Sequence, residues 1–206
     1  MIITFYGENC LKLQAGELVV LTDPIDSNSG LTAPRFKYNA VLKTLSAFPP
    51  EIEDASIMNT VGPGEYNFAE VKVFGFLAEN ESSEKFIKTV YLVEMEDMRF
   101  AFLGHLSEMP APSVMEHLEE IDILFVPAGG KPFMDQKMVM KLIRQIQPKI
   151  VIPTLHKLPG LKRQADDLKV FLEEFNHGKT EPQEKLVIKK KDLSGIKPPQ
   201  LVILKV

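Results

Sequence analysis

A chain of 206 residues with 45% hydrophobic and 25% charged residues is long enough to close a sizeable core, and its balance excludes a disordered or membrane-embedded protein. A net charge of -4 removes the basic footprint expected of a nucleic-acid binder, and the short Lys189-Lys190-Lys191 run does not restore it. The single cysteine, Cys10, excludes an internal disulfide and suits a reducing compartment; with no basic leader and no apolar run of bilayer length, the expectation is a cytoplasmic protein forming one domain over residues 1–206.

Ile2 to Tyr6, Cys10 to Gln14 and Glu17 to Leu21 are short, β-rich and separated by turn signals, which predicts an antiparallel meander. The third strand ends in Thr22-Asp23-Pro24, and the DSNSGLTAPRFK that follows has no apolar period and reads as a long loop. Ala40 to Leu45 reads as a buried strand broken by Phe48-Pro49-Pro50. Ser56 to Val61 reads as another strand, ahead of a rigid turn at Gly62 to Tyr66. Val71 to Leu77, Ile87 to Glu94 and Arg99 to Leu103 continue the β pattern, the last two joined by a tight turn at Glu96-Asp97.

The pattern then alternates. Pro110 to Ile121 is predicted as a helix with Ser113 as its N-cap, Asp122 to Pro127 as an apolar strand ending in Ala128-Gly129-Gly130, and the residues after Asp135 as a helix burying Met138, Val139, Leu142, Ile143 and Ile146. Pro148 stops that helix, and Lys149 to Pro153 is a buried strand delivering Thr154, Leu155 and His156. Leu161, Ala165, Leu168, Leu172 and Phe175 predict a third helix; Leu186 to Lys190 and Leu201 to Lys205 are closing strands. A β-rich half followed by an alternating half predicts an α/β protein with two sheets packed face to face and helices on the outsides.

Strand ends are where layered proteins place chemistry, because the strand fixes the backbone and the loop stays open. By that rule Met98 to Ser107, which runs an apolar strand into Gly104 and His105, is the leading stretch, and His156 and Asp23 also follow strands. Two imidazoles and a carboxylate would suit zinc or iron, although no ligands sit at a short diagnostic spacing. Set against this, a strand-end histidine also serves as a hydrogen-bonded core or rim residue, and an Asp before proline serves as a turn former. His117, among Glu116, Glu119 and Glu120, reads as a surface residue, and His177-Gly178 as a helix C-cap. Gly129-Gly130 lacks the spacing and lysine of a phosphate loop, Glu65 lacks a partner carboxylate, and Cys10 has no basic neighbour to activate it.

The order of several pieces resembles the metallo-β-lactamase superfamily, in its L-ascorbate-6-phosphate lactonase-like branch. ITFYGENC resembles that branch's strand and Gly-His-Ser-Cys turn, LVVLTDP its strand ending in Thr-Asp-Pro, and GPGEYNFAEVKVFGF its Pro-Gly-Glu-Tyr turn and next strand. MRFAFLGHLS resembles the strand ending in Gly-Asp, DILFVPAGG the strand and glycine turn, and PKIVIPTLH the strand ending in Pro-Met-His. The similarity covers roughly residues 1–156 and implies a four-layer αββα sandwich. It also implies where metal ligands should stand, and there this chain departs. The family's His-x-His-x-Asp-His loop is replaced by LKTLSAFPP, Leu42 to Pro50; its next histidine by Glu79, Asn80 and Glu81; its bridging aspartate by His105; and the histidine of its first turn by Glu8. Only His156 stands at a ligand position, and Asp23 matches a supporting one.

The expectation is therefore a metallo-β-lactamase-fold protein that has lost the hydrolytic dinuclear site and binds a ligand or partner as a pseudoenzyme. Its cleft candidates are Glu8, Asp23, Glu79, His105 and His156. The alternatives are a metal-dependent hydrolase of a phosphate ester, lactone or phosphodiester with an altered site, and a structural assembly subunit. No cofactor is expected, with zinc or another divalent metal at His105 and His156 as the alternative. The expected partner is a small molecule or protein of unknown identity, not a membrane or nucleic acid, and an oligomer is compatible with the sequence.

Overall fold

The structure is a computed structural model that describes residues 1–50, 52, 56–175 and 180–206. In chain order its strands begin with β1 (Ile2–Gly7), β2 (Cys10–Ala15) and β3 (Leu18–Thr22), then β4 (Ala40–Leu42), β5 (Leu45–Ala47) and β6 (Met58–Thr60). β7 (Gly64–Phe68), β8 (Val71–Leu77), β9 (Phe86–Met95) and β10 (Met98–Phe102) precede the short helix α1 (Pro112–Met115). β11 (Ile123–Pro127), α2 (Gln136–Ile146), β12 (Ile150–Thr154), α3 (Leu168–Phe175), β13 (Lys185–Val187) and β14 (Gln200–Leu201) complete it.

Two sheets result. The smaller runs β13-β1-β2-β3-β4-β6; the larger runs β14-β12-β11-β10-β9-β8-β7 and carries β5 on β9. One apolar cluster draws from both, with Ile3, Phe5 and Leu13 of the first sheet and Val93, Phe100 and Phe125 of the second, so the core lies between them. Alternation produces this: β1 buries every second residue. β11 and β12 are buried throughout, as parallel strands covered on both faces must be. A second cluster lies on the far side of the larger sheet, where Val139, Leu142 and Phe171 of the helices meet Leu92, Leu103 and Leu124. The α/β sandwich expected from the sequence is thus present. Among the described residues the helices gather on this side. Over part of the smaller sheet's outer face lies Phe36, from the loop after β3, its ring tilted against Tyr6 at 5.5 Å between centroids and lying under the Lys12 ammonium. That loop has no helical period, so it covers with single side chains.

Several local expectations are corrected. Gly64–Phe68 is a strand paired with β8 and not merely a turn, because Tyr66 and Phe68 find cross-strand partners in Val73 and Val71. The helix expected over Pro110 to Ile121 is one turn long, and Ser113 lies inside it, with Ala111 at the N-cap position. The third helix begins at Leu168, not near Leu161, since Arg163 and its neighbours are held by contacts to distant loops. The cap on α2 is as expected: Met138 N donates to Asp135 at 2.9 Å. His177-Gly178 lies outside the described residues. No helix among the described residues is long and apolar enough to cross a membrane.

The topology also decides where the site falls. β3 and β4 are parallel neighbours, so Thr22 stands beside Leu42 and the residues after them, Asp23 and Thr44, leave the sheet together. β10, β11 and β12 are parallel too, which brings the chain after Phe102 and after Thr154 to one edge of the second sheet. The segment after β4 joins the other sheet: β5 lies antiparallel on β9, with Leu45 opposite Lys88 and Ala47 opposite Phe86.

Candidate functional site

A cleft of about 690 Å³ opens where these strand ends meet, lined among others by Glu8, Asn9, Asp23, His105 and Arg163. Asp23 is its organising carboxylate. Its Oδ1 accepts from Thr44 N at 2.7 Å, and its Oδ2 accepts from Thr44 Oγ1 at 2.7 Å and Asn9 Nδ2 at 2.5 Å. Asp23 adopts φ +35°, Glu8 +53° and Leu155 +59°, left-handed backbone that non-glycine residues take only where surroundings enforce it. Gly104, at φ +53°, lies so close to Thr44 that a Cβ would overlap the threonine hydroxyl.

His105 Nδ1 lies 2.8 Å from Thr44 Oγ1, so Asp23, Thr44 and His105 form one chain of hydrogen bonds. Burial holds the His105 pKa below its ordinary value. The carboxylates of Asp23 and Glu8 act against this, while Lys88 and Arg163 reinforce it. The imidazole is therefore neutral at pH 7. Its ring meets the edge of Phe133 at 5.3 Å between centroids.

Glu8 faces a cation of this chain. Arg163 donates to it from Nε at 3.2 and 3.3 Å and from Nη2 at 2.7 Å, while Nη2 also reaches Leu155 O at 2.7 Å. The same guanidinium lies 5.0 Å over the Phe133 ring. Leu155 N in turn donates to Glu8 O at 2.7 Å, which locks the first turn of the chain to the end of β12.

The remaining candidates lie elsewhere. His156 is buried, stacked on Phe5 at 5.7 Å, and does not line the cleft. Its Nδ1 has no hydrogen-bond partner, and burial drives its pKa down to about 4. Glu79 is exposed in a short 3-10 turn and lines a different hollow. Its neighbour Glu81 is structural: it accepts from Lys88 Nζ at 2.8 Å and from the backbone N–H groups of Ser107 and Glu108 at 2.6 and 3.0 Å. Burial alone would raise its pKa; the bonds from Lys88, Ser107 and Glu108 outweigh that and hold it low. Cys10 is buried, and burial first, then the Asp23 charge, push its thiol up to about 12, which leaves it inert.

The family described as "Beta-lactamase superfamily domain" matches residues 2–155. The chain belongs to this superfamily. Among solved structures, a metallo-β-lactamase superfamily protein from Thermotoga maritima superposes with a TM-score of 0.78 at 23% identity, over 98% of this chain and 97% of that one. Igni18, a metallo hydrolase from Ignicoccus hospitalis, gives 0.65 at 13% identity over 99% and 94%. The metallo-β-lactamase fold protein YhfI from Bacillus subtilis gives 0.61 at 8% identity over 99% and 96%. At these identities the likeness is one of fold. No curated protein matches the chain.

The superfamily's hydrolases imply a metal, and the residues in this cleft do not fit one. A catalytic zinc needs three converging protein ligands with free lone pairs and an open position. Here Glu8 is bound by Arg163 and both Asp23 oxygens already accept hydrogen bonds, so the one imidazole on the cleft, His105, has only its Nε2 to offer and does not make up three ligands. Among the described residues no group of three or more His, Cys, Asp or Glu is placed to hold a metal ion.

Of the residues singled out from the sequence, the structure brings Glu8, Asp23 and His105 to one cleft, and it adds Asn9, Thr44 and Arg163 to their hydrogen bonds. Asn9 adjoins Glu8, and Thr44 follows β4 by two residues, so both stood beside stretches that the sequence had singled out. Arg163 carries no local signal, because it meets Glu8 across 155 positions.

Proposed function

We propose that this protein is a non-hydrolytic member of the superfamily, a pseudoenzyme of the L-ascorbate-6-phosphate lactonase-like branch that binds a small ligand in its strand-end cleft. The observation that carries this reading is the Glu8–Arg163 pair. An internal guanidinium takes up the carboxylate at the position that the branch gives to a histidine. The Arg163 guanidinium occupies the Glu8 oxygens that would otherwise be free to hold a divalent metal. The cleft itself persists, and a pocket of this size is ordinary for a small-molecule ligand.

The expected result is a purified protein carrying far less than one equivalent of zinc, manganese or iron when expressed without added metal, as measured by inductively coupled plasma mass spectrometry. Stoichiometric metal lost on replacing His105 or His156 would overturn the reading. One observation favours an altered-site hydrolase as the second reading: the buried, unpartnered Nδ1 of His156. For that reading, turnover of phosphate ester, lactone and phosphodiester substrates with added metal must be abolished by His156→Phe.

A further inference from the structure

The hydrogen bonds around Asp23 fix the polarity of the cleft atom by atom. An ionised carboxylate only accepts. Asn9 must therefore present its NH₂ to Asp23 Oδ2, and the Thr44 hydroxyl must give its one proton to the same oxygen. Having spent that proton, Thr44 Oγ1 can only accept from His105 Nδ1, which must carry the ring proton. The imidazole is neutral, held so by burial, so its other nitrogen, Nε2, bears a lone pair. Two atoms of this network are left over, His105 Nε2 and Asn9 Oδ1. The first makes no hydrogen bond among the described residues, and the second is buried without a partner. Both are acceptors, and both residues line the cleft.

The charges around them have the same preference. Glu8, Asp23 and Asp26 face Lys43 and Arg163, three carboxylates against two cations, so the lining keeps one net negative charge. Ile25, Leu45 and Phe133 add apolar surface on the same cleft. We infer that the cleft takes a small organic cation with N–H donors, an alkyl or aralkyl ammonium, whose head donates to His105 Nε2 and Asn9 Oδ1 and whose apolar part lies against Ile25, Leu45 and Phe133. This rests on the reading of the cleft as a metal-free ligand site. It predicts discrimination against carboxylates and phosphates, which bring only acceptors to an acceptor-lined floor.

The test uses the full chain labelled with ¹⁵N-histidine, with the His105 signals identified by their loss in His105→Gln, and long-range ¹H–¹⁵N spectra at pH 7 before and after a chelator. The expected pattern is a proton on Nδ1 and a lone pair on Nε2. Propylammonium should shift the Nε2 resonance saturably, propanol with about tenfold weaker half-saturation, and propionate not at all. Thr44→Val should free the tautomer and weaken propylammonium about tenfold, while Thr44→Ser should restore both. If the valine variant does not fold, the titration of the unmodified chain still decides. A metal-free protein with its His105 proton on Nε2, or one that answers propanol or propionate as strongly as propylammonium, overturns this inference alone. A His105 spectrum that changes on chelation overturns the metal-free reading, and the inference with it.

Discussion

His156 shows how one side chain couples burial to pH. The unfolded chain takes up a proton on this imidazole near pH 6.5, whereas the folded chain refuses it down to about pH 4. Between those values acidification pulls the equilibrium toward the unfolded state, so stability is full above the upper limit and falls as pH drops through the window. The full shift corresponds to on the order of 3 kcal/mol. His156→Phe keeps a ring against Phe5 and removes the titration. Its urea midpoint should change less between pH 7 and pH 5 than that of the unmodified chain, and equal changes in the two proteins would refute this account. His105, also held low by burial, leaves a residual slope of the same sign. From the sequence both histidines were visible as strand-end residues, but their separation was not. One lines the cleft on a hydrogen-bonded chain, and the other lies against Phe5 in the interior.

Among the elements, carboxylates act as clips between segments that the sheets alone do not join. Glu81 ties the turn before β9 to the loop after β10, and Glu8 ties the β1–β2 turn to the loop after β12. The Glu8 and Arg163 side chains are 18% and 23% exposed, so solvent screens the pair. A double-mutant cycle with Glu8→Gln and Arg163→Met should return a coupling of about 1 kcal/mol that declines with added salt. A coupling near zero at low salt would mean that the pair serves geometry alone. The elements that the sequence misjudged lie beside such clips. Residues 161–168 have a helical stripe in Leu161, Ala165 and Leu168, but Lys157 N, Lys162 N and Asp166 N donate to Asp166 O, Ser29 O and Gly129 O, and that tertiary bonding overrides a weak propensity. By contrast α2, where cap, stripe and stop agree, was legible in full.

At the scale of the molecule, the two sheets share a single apolar cluster, and Phe125 sits in it, fully buried and stacked on Phe102 at 4.4 Å. Phe125→Ala should cost about 4 kcal/mol. If residues 1–206 fold as one domain, far-ultraviolet circular dichroism and the fluorescence of the four tyrosines, of which Tyr91 is buried in the same cluster, should report a single transition that moves as one. Two separated transitions would show that the sheets unfold independently.

The sheets and the superfamily were legible before any coordinates, because alternation, turn residues and the order of strand-ending motifs are local and survive without knowledge of what packs where. That no histidine stands from Leu42 to Pro50 also needs no coordinates. Folding alone brings residues of this segment onto β9 as a strand, closes Arg163 on Glu8, and joins Asp23, Thr44 and His105 in one chain of hydrogen bonds. Each of those depends on groups 21 to 155 positions apart meeting within hydrogen-bond distance, and no periodicity in the chain records such a meeting.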